Sequence, residues 1–149
     1  MISIKKYAIG TLLALTSLLS LNAYAENSKT FGDYVVHYNA FRSDTLTPDI
    51  AKAYQLTRRN NRMVVNITVL KKDNSHTSPV KARVSGFASN LTGQVKDLEF
   101  KEIVEDNAIY YLAQAQVSHR ETLKFEIQTT PAGQSRSTKV KFDQQFFTD

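Results

Sequence analysis

Met63-Val64-Val65-Asn66-Ile67-Thr68-Val69-Leu70 is the stretch on which the fold class turns. In an extended chain, Met63, Val65, Ile67 and Val69 share one face, and Val64, Asn66, Thr68 and Leu70 share the other. The first face is wholly apolar and the second is mixed. That pattern predicts a strand in the middle of a sheet, or one at least half covered on its second side.

Working outward, the same period of two recurs along most of the chain. Tyr34, Val36, Tyr38 and Ala40 alternate with Asp33, His37 and Asn39, with Val35 as an interruption. Val80, Ala82 and Val84 alternate with Lys81, Arg83 and Ser85. Ile109, Tyr111, Ala113, Ala115 and Val117 form a long alternating face, and so do Leu123, Phe125 and Ile127. Val140, Phe142 and Phe146 alternate with Lys139, Lys141, Asp143 and Gln145. The stretch from Val95 to Val104 is less regular. Turn chemistry separates these runs at Asp73-Asn74-Ser75, Asn90 to Gly93, Asp106-Asn107, His119-Arg120-Glu121 and Pro131-Ala132-Gly133. About seven short strands with regular turn signals predict an all-β antiparallel sandwich, with a small open barrel as the alternative.

One segment breaks the period. Thr47 is placed to cap a helix, Pro48 suits its first position, and Asp49 suits its positive end. Ile50, Ala53 and Tyr54 then share one helical face. The predicted helix runs to near Leu56, links the first strand to the second, and lies across one end of the sandwich.

The 149 residues are 42% hydrophobic and 22% charged, which fits one globular domain and excludes disorder or a coiled coil. The absence of cysteine excludes a disulfide scaffold, an iron–sulfur centre and a thiolate zinc site. Residues 1–25 read as a signal peptide. Lys5 and Lys6 are its basic region, Tyr7 to Leu21 its apolar core, and Ala23-Tyr24-Ala25 its cleavage signal. A spanning helix needs about 20 apolar residues, and this run stops at Asn22. Cleavage after Ala25 leaves residues 26–149 as a single β-sandwich domain in the periplasm, without a transmembrane segment. Removing two of 19 basic residues leaves 17 against 14 acidic ones, a charge of +3. That is too little for a nucleic-acid footprint.

No nucleophile elbow, zinc helix, phosphate loop or dinucleotide fingerprint occurs. The chemistry implies no cofactor and no metal ligand set. His37, His76 and His119 are far apart. Asp33 and His37 share a strand face but stand about 13 Å apart, so a metal-dependent or hydrolytic enzyme built on that pair is the alternative reading. The predicted function is a non-enzymatic binding or interaction module. Its predicted surface joins Asp33, His37 and Asn39 on the first strand to Tyr54 and the basic exit of the helix, Arg58, Arg59 and Arg62. Arginines of this kind receive a carboxylate or phosphate in bidentate fashion. The expected partner is a periplasmic protein or a small anionic ligand. Tyr110, Phe147 and Phe87 fall opposite their strands' core faces and offer a second contact signal. Asn66-Ile67-Thr68 and Asn90-Leu91-Thr92 match the glycosylation pattern by chance. The chain is read as a monomer. A weak dimer through an edge strand is the alternative, and lysines and arginines dot the edges against it.

Residues 31–41 (FGDYVVHYNAF), Leu46-Thr47-Pro48, Ala51-Lys52-Ala53-Tyr54 and residues 108–114 (AIYYLAQ) resemble, in order and spacing, a bacterial family named domain of unknown function 4426. So do residues 66–70 (NITVL) and 142–147 (FDQQFF). The resemblance implies an exported protein of Gram-negative bacteria. Its implied fold is an immunoglobulin-like sandwich, which joins the reading above of an antiparallel β-sandwich of about seven strands with one short helix between the first two strands. It implies no activity and no functional residue.

Overall fold

The computed structural model describes residues 27–149; the predicted signal peptide lies outside them. Two antiparallel sheets pack face to face. The larger sheet contains β1 (Ser28–Phe31), β2 (Tyr34–Arg42), β3 (Arg62–Asp73), β4 (His76–Pro79), β7 (Lys101–Glu105) and β8 (Ala108–Gln116). Its order is β1-β2-β3-β8-β7, with β4 also pairing β3. The smaller sheet runs β10-β9-β5-β6, from β10 (Thr138–Phe146), β9 (Glu121–Pro131), β5 (Ala82–Asn90) and β6 (Val95–Leu98).

Ten strands replace the seven expected. Ser28–Phe31 and His76–Pro79 are short and largely exposed edge pieces, so neither carries an apolar face to betray it. The irregular stretch after Val95 is two strands, β6 in one sheet and β7 in the other. The helix, α1 (Pro48–Ala53), accordingly joins the second and third strands instead of the first and second. It follows a short 3-10 turn, Ser43–Thr45.

The core forms where the inner faces meet. Val36, Met63, Ile67 and Val69 from the larger sheet cluster with Leu123, Phe125, Ile127 and Val140 from the smaller one. Phe142 stacks between Tyr38 and Phe125, with ring centroids 4.8 and 4.6 Å away. Burying each such side chain stabilises the fold by roughly 1.5–3 kcal/mol. Tyr111 carries a polar end on the inner face. Its hydroxyl accepts from the Ala82 N–H at 2.8 Å and donates to Glu102 at 2.8 Å, so the buried phenol is fully bonded. Lys96 and Glu121, both largely buried, pair at 2.9 Å and tie β6 to the start of β9. Burial pushes the Glu121 carboxyl up, but bonds from Lys96, the Ser118 N–H and Asn90 outweigh it and leave the group below its ordinary range.

Thr47 caps α1 as its sequence suggests, its hydroxyl accepting from the Ile50 N–H at 3.4 Å. The helix ends earlier than expected, at Ala53. Gln55 takes a left-handed conformation with φ of 56°; its N–H bonds Lys52 O, and the Leu56 N–H bonds Ala51 O. These are the two bonds of a Schellman stop, and they turn Leu56 back toward the sheet.

Gly86 lies on β5 opposite Ile127 of β9. A Cβ there would sit 2.3 Å from the Glu126 carbonyl oxygen and 2.8 Å from the Ile127 Cα. Neither is a flexible side-chain end, so the strands must separate to admit it. Gly86→Ala is expected to cost roughly 1–3 kcal/mol, read as a lower midpoint in denaturant unfolding. An unchanged midpoint would contradict this packing.

Candidate functional site

β3 is apolar on its inner face and mixed on its outer face, with Val64, Asn66, Thr68 and Leu70, and the outer face is where a site forms. Val64 points away from the core yet is fully buried, because the connection from β2 to β3 folds back over it. Register places Val64 between Phe41 and Gln114, and Asn66 between Asn39 and Leu112. Phe41, Val64, Asn66, Leu112 and Tyr110 make the floor of a groove of about 190 Å³. Leu46, Ile50, Tyr54 and Leu56, from α1 and its flanks, make the wall. Ile50 stands at the mouth, 43% exposed. The Tyr54 and Tyr110 rings meet at a 43° tilt, 6.4 Å apart.

The wall is pinned to the sheet. Gln114 holds both backbone groups of Thr57, accepting from its N–H at 3.0 Å and donating to its carbonyl at 2.8 Å. The Tyr54 hydroxyl donates to Glu105. That bond, then burial, pushes the Tyr54 phenol up to about 12. No carboxylate, lysine, arginine or histidine is among the residues that line the groove. Asn66 lines it too, and its side-chain oxygen is shielded from solvent and receives no hydrogen bond. An apolar trough can bind an apolar group, and a donor on that group reaches the shielded Asn66 oxygen once the α1 wall moves aside.

The residues predicted as a surface divide in two. His37 and Asn39 stand on the outer face of β2, opposite Thr68 and Asn66, and Tyr54 lines the groove beside them. Asp33 does not join them. It sits in the β1–β2 turn, its carbonyl accepting from the Lys72 N–H at 2.7 Å, in a small cleft with Gln134 and Arg136. The basic exit is fastened to the loop around α1 by the side chain of Arg58 and the backbone of Arg59. Arg58 Nε donates to the Leu46 carbonyl at 2.7 Å and closes the loop around α1. Arg59 exchanges backbone bonds with the Ser43 hydroxyl at 2.9 Å in both directions. Arg62 opens β3 opposite Gln116.

Of the outward aromatics, Tyr110 lines the groove. Phe147 is exposed, edge-on to His119, and Phe87 is half-buried on β5. Asn66 was not expected at a site. A lone amide on the mixed outer face of β3 is the signal that would have found it. Asn90, in the other glycosylation pattern, is occupied by bonds to Thr92, Gln94 and Glu121. Among the described residues no group of three or more His, Cys, Asp or Glu side chains could hold a metal, and no helix is long and apolar enough to cross a membrane.

The family model described as "Domain of unknown function (DUF4426)" matches residues 28–149. A crystal structure of a protein of that family from Pseudomonas aeruginosa PAO1 is 40% identical, with a TM-score of 0.72. The match covers 83% of this chain and 96% of that one. FetP of uropathogenic Escherichia coli strain F11, recombinantly expressed in the periplasm of E. coli, shares the fold at 12% identity and a TM-score of 0.57, over 81% of this chain and 93% of its own. A copper-bound variant of FetP gives the same identity and TM-score, over 82% and 95%. Among curated proteins none matches the chain.

Two tyrosines carry a pH prediction. Tyr54 is held up at about 12 chiefly by Glu105, and Tyr111 at about 12 chiefly by burial. Both folded values lie above the unfolded value near 10. The stability they contribute is thus complete below about pH 10 and is lost as pH rises toward 12. Absorbance titration at 295 nm should show two tyrosines ionising near pH 12 in the folded protein and one after Tyr54→Phe. Two late ionisations in that variant would refute the Tyr54–Glu105 assignment.

Proposed function

The chain belongs to the DUF4426 family, and we propose that it is an exported, non-enzymatic binding module whose groove under α1 receives one donor-bearing aromatic side chain from a partner protein. The observation that carries this reading is Asn66. A buried acceptor left unbonded costs about 1–3 kcal/mol, and Leu in its place would fill the same trough without that cost. The acceptor makes sense as a binding feature. A groove of about 190 Å³ is smaller than the roughly 300–1,000 Å³ of small-molecule sites. It suits a single anchoring side chain of the kind that dominates protein interfaces, where Trp and Tyr are enriched. Trp and Tyr both bring a large apolar ring and one donor.

Asp33 and His37, the pair an enzymatic reading would use, stand in separate environments, the first in the β1–β2 turn and the second on the outer face of β2. The two face-to-face antiparallel sheets support an immunoglobulin-like sandwich, a scaffold common in recognition modules. Export rests on the basic region, apolar run and Ala23-Tyr24-Ala25. The likeness to FetP, expressed in the periplasm, is in keeping with it.

Two experiments test the proposal. Titrating ¹⁵N-labelled residues 26–149 with N-acetyl-tryptophanamide should shift the amides of Val64, Leu112 and Ile50, and N-acetyl-phenylalaninamide should do so far more weakly. Asn66→Leu should abolish the difference while leaving the unfolding midpoint equal or higher. No shift at those amides with either probe would end the groove assignment. For export, mass spectrometry of the protein from a periplasmic fraction should find Glu26 at its N-terminus; an intact Met1 start in the cytoplasm would overturn it.

A further inference from the structure

The edge strands differ in length. β1, β4 and β6 have four residues each and β7 has five, but β10 has nine. Long edges offer a row of unpaired backbone groups to another strand. The register states which groups these are. Pro131 has no N–H and lies opposite Ala82, while the next residue, Ala132, donates to Lys81 O. The even-numbered residues of β9 thus bond β5, and its odd-numbered residues bond β10. Thr138, Val140, Phe142, Gln144 and Phe146 consequently turn their backbones toward β9. Lys139, Lys141, Asp143 and Gln145 turn theirs to the open edge. Lys29 Nζ, donating to the Lys139 carbonyl from outside at 2.7 Å, fits this assignment. No other backbone bond among the described residues ends on Lys141 or Asp143.

The side chains of these four residues point away from the core and are exposed. Their order along the edge is two cations, an anion and an amide. In an antiparallel pair of identical strands, the residues opposite each other sum to a constant. Centred on Phe142, Lys141 faces Asp143 of a second copy, its Asp143 faces Lys141, and Lys139 faces Gln145 at both ends. Centring one residue earlier sets Lys141 against Lys141; one residue later sets Asp143 against Asp143. Directly opposed like charges destabilise a sheet and opposed unlike charges stabilise it. Of these three registers, the one centred on Phe142 alone avoids a like pair and makes two attractive ones.

We infer that β10 is a self-recognition edge: two copies pair β10 antiparallel about Phe142. This merges two four-stranded sheets into one of eight strands, with reciprocal Lys141–Asp143 contacts. A two-fold pair is self-complementary by construction, and Lys141/Asp143 provides that complementarity. The strand is presented firmly, because Phe142 is stacked between Tyr38 and Phe125 behind it. Lys29 guards only the Lys139 end. A carbonyl oxygen has a second lone pair, so its bond does not block the central pairs.

Because the chain has no cysteine, disulfide trapping reads the register directly. Opposed residues in a hydrogen-bonded pair have Cα atoms about 5.5 Å apart, within disulfide reach. Mixing Lys141→Cys with a size-tagged Asp143→Cys variant and oxidising should give mixed crosslinked dimers in several-fold excess over either like pair. Sedimentation of the unmodified protein should show a concentration-dependent dimer. Asp143→Lys should abolish it, and Lys141→Asp combined with Asp143→Lys should restore it. A monomer at every concentration, or a dimer indifferent to these charge changes, overturns the inference. So does crosslinking that ignores the pairing rule, including a dimer captured only through another strand.

Discussion

The structure is organised by the need to cover β3 on both sides. Met63, Val64, Val65, Ile67 and Val69 are all fully withdrawn from water. An antiparallel sheet usually has one face on the core and one on solvent, and β3 departs from that rule. Its inner face is met by the smaller sheet. Its outer face has no third layer, so the β2–β3 connection supplies a partial one. Leu46, Ile50, Tyr54 and Leu56 cover Val64 and leave a trough beside it. The groove is what remains when a six-residue helix shields a strand that a full helical layer would have buried.

This also explains why polar residues around α1 act as fasteners. A helix of six residues is too short to hold its shape alone, and its contacts must come from elsewhere. Thr47 caps the start, the Gln55 turn closes the end, Gln114 grips Thr57, and Arg58 reaches back to Leu46. Within the basic run, the Arg58 guanidinium bonds the Leu46 carbonyl, while Arg59 bonds the Ser43 hydroxyl through its backbone.

What the sequence made legible follows from how strongly each feature is patterned. The all-β class, the inner faces of β3, β8, β9 and β10, and the Thr47-Pro48 helix start were readable, since each repeats a period or a local capping rule. The short edges β1 and β4 were not, because an exposed four-residue strand has no apolar face to reveal it. The split of β6 from β7 was hidden because alternation does not say which sheet a strand joins. On the outer side of the larger sheet, His37 and Asn39 were placed by strand register and Tyr54 by helix register. Asp33 was not, since it lies in the turn instead of the strand. Asn66 was overlooked because its importance depends on which residues stand across from it, Asn39 and Leu112, and pairing between distant strands is not written locally.

The same pairing has a kinetic consequence. β3 finds its neighbour β8 across a long interval, Ile67 against Tyr111, and β5 finds β9 in the same way, Val84 against Thr129. Distant closures of this kind place a protein among the slow folders, on millisecond-to-second timescales. As the chain emerges from the ribosome, the oily ribbon at 63–69 finds β2 already made, but its other edge and its inner face wait for residues 108–140. An apolar strand with an open edge is prone during that interval to coalesce with its own kind.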